Sequence, residues 1–75
     1  MFTERVAIEI ERARRKHGKM NSLHEGYAVL LEEVDEFWEH VKHDNQDKAE
    51  ILSELVQIGA MAQRIAEDLS LDERL

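Results

Sequence analysis

The chain has 75 residues, no cysteine and a formal charge of −7, which leaves room for one small domain with no disulfide and no cysteine-ligated zinc to support it. A net acidic chain lacks the basic footprint of a nucleic-acid binder, no apolar run approaches the roughly 18–20 residues that cross a bilayer, and the opening Met-Phe-Thr-Glu-Arg lacks the layout of a secretory signal. The expectation is a soluble cytoplasmic protein with neither a nucleic-acid polymer nor a membrane as partner. A domain this small buries only about 60% of the surface its unfolded chain exposes, so association with a second copy is expected.

Proline is absent and there are three glycines. Strong helix formers dominate, and no period-two alternation persists long enough for a strand. The chain reads as all-α, a three-helix antiparallel unit over residues 1–75 that assembles into a helical bundle with a second copy. A first helix is predicted over about residues 3–17, capped by Thr3 and ended by Gly18. Phe2, Val6, Ile10, Ala13 and His17 form its apolar stripe.

The second helix is predicted over about 22–42, opened by a capping box of Ser22 and Glu25. Leu23, Tyr27, Leu30, Leu31, Val34, Phe37, Trp38 and Val41 trace the clearest apolar face in the chain. A polar break follows at 43–46, with Asp44 or Asn45 as the next cap. The third helix, over about 45–69, carries Ile51, Leu52, Leu55, Ile58, Ala62, Ile65, Ala66 and Leu69. Its small residues Gly59, Ala60, Ala62 and Ala66 read as sites of close helix approach. Ser70–Leu75 either starts another helix or frays.

The charge is unevenly spread. Residues 1–24 carry +3, residues 25–54 carry −8 and residues 55–75 carry −2. With Leu30 at zero on a helical wheel, Glu33 falls near about 300° and Glu36 near about 240°. With Ile51 at zero on the next helix, Glu54 and Gln57 take the same two positions, at about 300° and 240°. Two helices packed by these faces bring Glu33, Glu36, Glu54 and Gln57 along one flank, with Glu32, Glu50 and His40 close by.

Gathered carboxylates raise one another's pKa values, and a hard divalent cation removes that cost. An all-oxygen set suits Mg²⁺ or Mn²⁺, shared with a phosphate substrate. The plain alternative is a solvated acidic face. A di-iron centre is disfavoured, because it needs Glu-x-x-His and no Glu here has His three residues after it.

Leu-Leu-Glu-Glu-Val-Asp-Glu-Phe-Trp-Glu at 30–39, followed by Ser-Glu-Leu-Val-Gln-Ile-Gly-Ala-Met-Ala at 53–62, resembles the MazG-type nucleotide pyrophosphohydrolases of the all-α NTP pyrophosphatase superfamily. Their motif is Glu-Glu-x-x-Glu on one helix and Glu-x-x-Asp on the next. Glu32, Glu33 and Glu36 match the first part and Glu54 opens the second; the resemblance covers about residues 20–69. It implies Mg²⁺-dependent hydrolysis of nucleoside triphosphates to the monophosphate and pyrophosphate, of the house-cleaning type, by a homodimer or dimer of dimers. It further implies Glu33, Glu36 and Glu54 as ligands, with Glu32 assisting.

Gln57 stands where the family has Asp. It can ligate through its carbonyl oxygen but brings no charge, a gap that Glu50 is placed to fill. The alternative implied by that departure is a degenerate, non-catalytic MazG-like oligomer or nucleotide-binding module. Three further groups are candidates for substrate. Arg12 and Lys16 share a side of the first helix and are placed to hold phosphates, against a solvated basic face. Trp38 or Tyr27 offers a ring for a nucleobase, against plain core or interface. His40 and His43 read as a solvated helix end.

Overall fold

The computed structural model describes residues 1–73 as three helices: α1, Phe2–His17; α2, Leu23–Lys42; and α3, Lys48–Asp68. There is no strand among them. Leu69 to Glu73 form turns rather than a helix, and 74–75, the end of the expected single domain, lie outside the described residues. No helix among the described residues is long and apolar enough to cross a membrane.

The helix ends follow local chemistry, with three departures from the sequence expectation. Thr3 lies inside α1; the helix starts one residue earlier because the Met1 carbonyl accepts from Arg5 N–H at 3.2 Å, and no side chain caps it. Ser22 does cap α2, its Oγ accepting from Glu25 N–H at 3.1 Å. The Glu25 carboxylate reaches back to the Asn21 N–H, at 2.7 Å, rather than to that of Ser22, so the box closes one residue early.

Neither Asp44 nor Asn45 caps α3. Asp47 does, accepting from Ala49 N–H and Glu50 N–H, so α3 begins at Lys48. Asp44 instead takes a positive φ of 52° in the turn, and Asn45 Oδ1 accepts from the Asp47 N–H.

Helix α3 is the centre of the packing. Helix α2 lies antiparallel against one side of it and α1 against another, while α1 and α2 do not pack on each other. Small residues set both approaches. A Cβ on Gly26 would stand 2.8 Å from Ile65 Cγ1, and one on Gly59 would stand 3.3 Å from Val6 Cγ2. Ala60 is fully buried between them, in a core of Val6, Ile10, Ala13, Met20, Val56 and Met61, backed by Val29, Leu30, Ile65 and Leu69. No large side chain is completely buried among the described residues.

Helix α2 departs most from the expected packing. Its Leu23, Tyr27, Leu31, Val34, Trp38 and Val41 are exposed, Tyr27 by 67% and Trp38 by 53%. The side turned to α3 carries Gly26, Val29 and Leu30 together with Glu33, roughly 100° around the helix from the exposed stripe. Gly26 decides this. With no side chain of its own it lets the Ile65 side chain approach closely, so α3 lodges there and the acidic shoulder turns inward.

At the ends of the α1 stripe, Phe2 is partly exposed, its ring edge over Gly59, and His17 is exposed where the turn departs.

Candidate functional site

Glu33 and Glu36 stand one turn apart on the α3-facing side of α2, and Glu54 projects from the first third of α3. One carboxylate oxygen from each lies within 4.8 Å of the other two. Glu33 and Glu54 are half-buried and Glu36 is exposed. Among the described residues no Lys or Arg forms an ion pair with any of the three.

The electrostatic consequence is large. Burial, then the charges of Glu36 and Glu54 and a smaller contribution from Glu32, push the Glu33 carboxyl up to about 7. Burial and Glu36 likewise raise Glu54 above the usual carboxylate range, with His40 opposing. Glu54 Oε2 is buried with no hydrogen-bond partner, a costly state for a carboxylate oxygen.

His40, one turn beyond Glu36, is half-buried rather than part of a solvated helix end, and it does not reach that oxygen. Its Nε2 lies 3.8 Å from Glu54 Oε1, and its Nδ1 accepts from the Asn45 amide at 2.6 Å. Accepting at Nδ1 leaves the ring proton on Nε2, toward Glu54. Asn45 is itself held by the short α2–α3 turn, its N–H donating to the His40 carbonyl oxygen at 3.0 Å. It also donates to Glu50 Oε2 at 3.2 Å.

The donor set fits a hard divalent cation. All its atoms are oxygen, and donors around an octahedral Mg²⁺ stand at most about 4.2 Å apart. A small inward rotation or a bridging water closes the three carboxylates onto one ion. The same cation would compensate the raised pKa values and the orphaned Glu54 oxygen together.

The remaining sequence candidates fall in different places. Glu32 is exposed beside Glu33, on the wall of a cavity of about 440 Å³. Glu50 is exposed and bonded to Asn45, outside the carboxylate trio. Gln57 lies in the groove between α1 and α3 with Arg5, Ile8 and Glu9.

Glu9, only 12% exposed at its side chain, is held below the usual carboxylate range chiefly by Arg12, with Gln57 contributing from the same groove. Arg12 is committed to Glu9 through two bonds of 3.0 and 2.6 Å. Lys16 is exposed, and Trp38 lies on the uncovered α2 stripe.

Sequence reasoning missed a second polar cluster, at the other end of α3. Asp68, with a side chain 3% exposed, accepts from Arg14 Nε at 2.9 Å, Arg14 Nη2 at 2.6 Å and Met20 N–H at 2.9 Å. Burial alone would raise its pKa, but the Met20 N–H and Arg14 outweigh burial and hold it low. The available signal was Arg64-x-x-x-Asp68, an i, i+4 pair whose arginine sits between the apolar positions Met61 and Ile65.

Comparison with known protein families, with characterised proteins and with solved structures found no match to this chain.

Proposed function

We propose that the protein is a Mg²⁺- or Mn²⁺-dependent hydrolase that cleaves nucleoside triphosphates to the monophosphate and pyrophosphate. The observation that carries this reading is a trio of carboxylates with no Lys or Arg partner among the described residues, one of them with a buried, unpartnered oxygen. A fold keeps such a cluster against its own repulsion at little benefit to stability. The spacing of Glu32, Glu33, Glu36 and Glu54 that resembles the MazG-type motif supplies the reaction class.

Glu33, Glu36 and Glu54 hold the cation, which when bound polarises a phosphoryl oxygen and lowers the pKa of water. His40 stands behind Glu54, its Nε2 3.8 Å from Oε1, and Asn45 holds the ring in place. Glu32, on the cavity wall beside Glu33, accepts the proton of the attacking water.

The working unit is a homodimer or dimer of dimers. Tyr27, Leu31, Val34, Trp38 and Val41 repeat at alternating spacings of four and three on the exposed side of α2, the seam spacing of paired helices. A second copy laid along this stripe covers what one chain leaves to water and supplements a thin core. Light scattering at micromolar concentration should show at least a dimer, and Trp38→Glu should shift it toward monomer. A wild-type monomer overturns the assembly.

A second reading has its own observation. Gln57 lies in the α1–α3 groove with Glu9, and the acidic group stops at three carboxylates among the described residues. That favours a MazG-like helical oligomer or nucleotide-binding module that no longer turns over substrate. One assay separates the two: pyrophosphate release from canonical and modified dNTPs with Mg²⁺ or Mn²⁺. The hydrolase reading expects release that falls roughly 100-fold in Glu54→Gln. Release no greater than background from every substrate overturns it and leaves the second reading.

A further inference from the structure

The cavity that reaches Glu33 has a second wall of opposite charge. It occupies about 440 Å³, within the range of small-molecule sites. Glu25, Glu32 and Glu33 line it from α2, His17 from the end of α1, Lys19 from the α1–α2 turn and Arg64 from α3. The cavity therefore joins Glu33 of the carboxylate trio to two cationic side chains, Lys19 and Arg64, with Glu25, which accepts from the Asn21 N–H, also on its wall.

Arg64 is the informative residue. It is 4% exposed, yet its hydrogen bonding is incomplete. Nη2 donates to the Gly18 carbonyl oxygen at 3.0 Å, Nη1 donates weakly to Met61 Sδ at 3.5 Å, and Nε has no partner. The nearest carboxylate oxygen, Asp68 Oδ2, is 4.0 Å from Nε and already accepts from the Met20 N–H. A guanidinium removed from water is stable with its donors paired, and its planar fork matches phosphate oxygens. Arg64 has that capacity left over.

The turn beside it is fixed. Gly18 adopts φ 76° and ψ −158°, a region open essentially to glycine alone. Arg64 holds the Gly18 carbonyl and Asp68 holds the Met20 N–H. Lys19, between these two anchors, is carried on a rigid turn at the cavity wall.

We propose that this cavity is the subsite for the phosphate chain of the nucleotide, with Lys19 and Arg64 pairing with phosphate oxygens that the cation does not hold. Glu33 belongs both to the cavity wall and to the carboxylate trio, so it joins the chain to the cation. The inference rests on the hydrolase reading for the cation and the nucleotide. It moves phosphate binding from Arg12 and Lys16 to residues that line a cavity with Glu33.

Inorganic tripolyphosphate is the probe, titrated calorimetrically at pH 8 with and without Mn²⁺, with Mn²⁺ alone titrated separately. Tripolyphosphate should bind in the presence of Mn²⁺, and Lys19→Glu should weaken it about tenfold, the loss of one charge-assisted contact. Arg15→Glu makes the same charge change on the exposed end of α1, outside this cavity, and should change affinity less than about twofold. Arg64→Lys, which keeps the charge and loses the fork, should weaken binding with an unchanged affinity for Mn²⁺ alone. Should Arg64→Lys fail to fold, exposed Lys19 and Arg15 still decide the matter.

Equal losses in Lys19→Glu and Arg15→Glu overturn the subsite, because bulk charge then explains the binding. Mn²⁺ binding without Lys19-dependent tripolyphosphate binding overturns the subsite and leaves the cation reading standing. Lys19-dependent tripolyphosphate binding with no Mn²⁺ binding supports the subsite and overturns the cation reading.

Discussion

Glu54 and Asp68 sit toward opposite ends of α3, both largely withdrawn from water, and their surroundings treat them in opposite ways. Asp68 receives three donors from α1 and the α1–α2 turn, so its charge is welcome and its pKa is held low. Glu54 faces Glu33 and Glu36, keeps one oxygen unpartnered and has its pKa raised. The first cluster staples three segments of a small chain together. The second opposes folding until something positive enters it. Buried acids on one helix thus separate into a structural joint and a site that calls for a ligand, and only the partners distinguish them.

Isosteric neutralisation is the sharpest way to break the comparison, since the two changes should have opposite signs. Asp68→Asn leaves buried Arg64 with no carboxylate beside it and Arg14 with Glu67 alone, and should lower the unfolding free energy by about 3 kcal/mol, measured by urea denaturation. A loss under about 1 kcal/mol would make the joint no stronger than a surface pair.

Glu54→Gln removes one of three repelling charges and should stabilise the metal-free protein by about 1 kcal/mol. In the wild type, Mn²⁺ at a hundred times its Kd should add about 2.7 kcal/mol at pH 8, and Glu54→Gln should abolish that gain. Destabilisation by Glu54→Gln without metal would show that the trio is not under strain.

A pH scan sharpens the contrast without mutation. Between the ordinary carboxylate value of 4.5 and about 7, native Glu33 keeps a proton that the unfolded chain has released. Its contribution to stability therefore falls as pH rises through that window. Asp68 works in the other direction. Its folded pKa lies below the ordinary 3.8, so its contribution is full above that value and is lost as pH drops through the folded pKa.

Melting temperature followed from pH 4 to 8 should show a decline toward pH 7 that saturating Mn²⁺ removes, because the cation holds the ionised form. A metal-independent profile would separate Glu33 from any cation.

Gln57→Asp has the smallest expected effect. It sets a like charge beside Glu9 in the α1–α3 groove, so it should cost roughly 0.5–1 kcal/mol above pH 5. Unchanged stability together with tighter Mn²⁺ binding would instead place position 57 with the trio and not with Glu9.

Much of the helix pattern was legible because helix formation here is local. Gly18 marked the end of α1, Ser22 the start of α2, and the periodic runs on either side needed no long-range information. The start of α3 was less legible: Asp44, Asn45 and Asp47 are all capable caps, and the choice fell on Asp47 once Asn45 was drawn into bonds with His40 and Glu50. The acidic trio could be anticipated from matched spacing on two helices. The parting of Gln57 from Glu54 could not, because the wheel gives phase on one helix and not which neighbour faces it. Helix α1 claimed Gln57 through Glu9.

The sequence by itself determined three helices, an uneven charge and a set of carboxylates at helical spacing, since all of these follow from composition and periodicity within short stretches. Tertiary structure decided which shoulder of α2 meets α3. Gly26 admitting Ile65 turned Glu33 inward and left the α2 apolar stripe to water, so packing at one glycine separates the site from the surface expected to be core. It also decided which buried charge is answered. Arg14 and Met20 reach Asp68 across most of the chain's length, and no feature within a single helix encodes that contact.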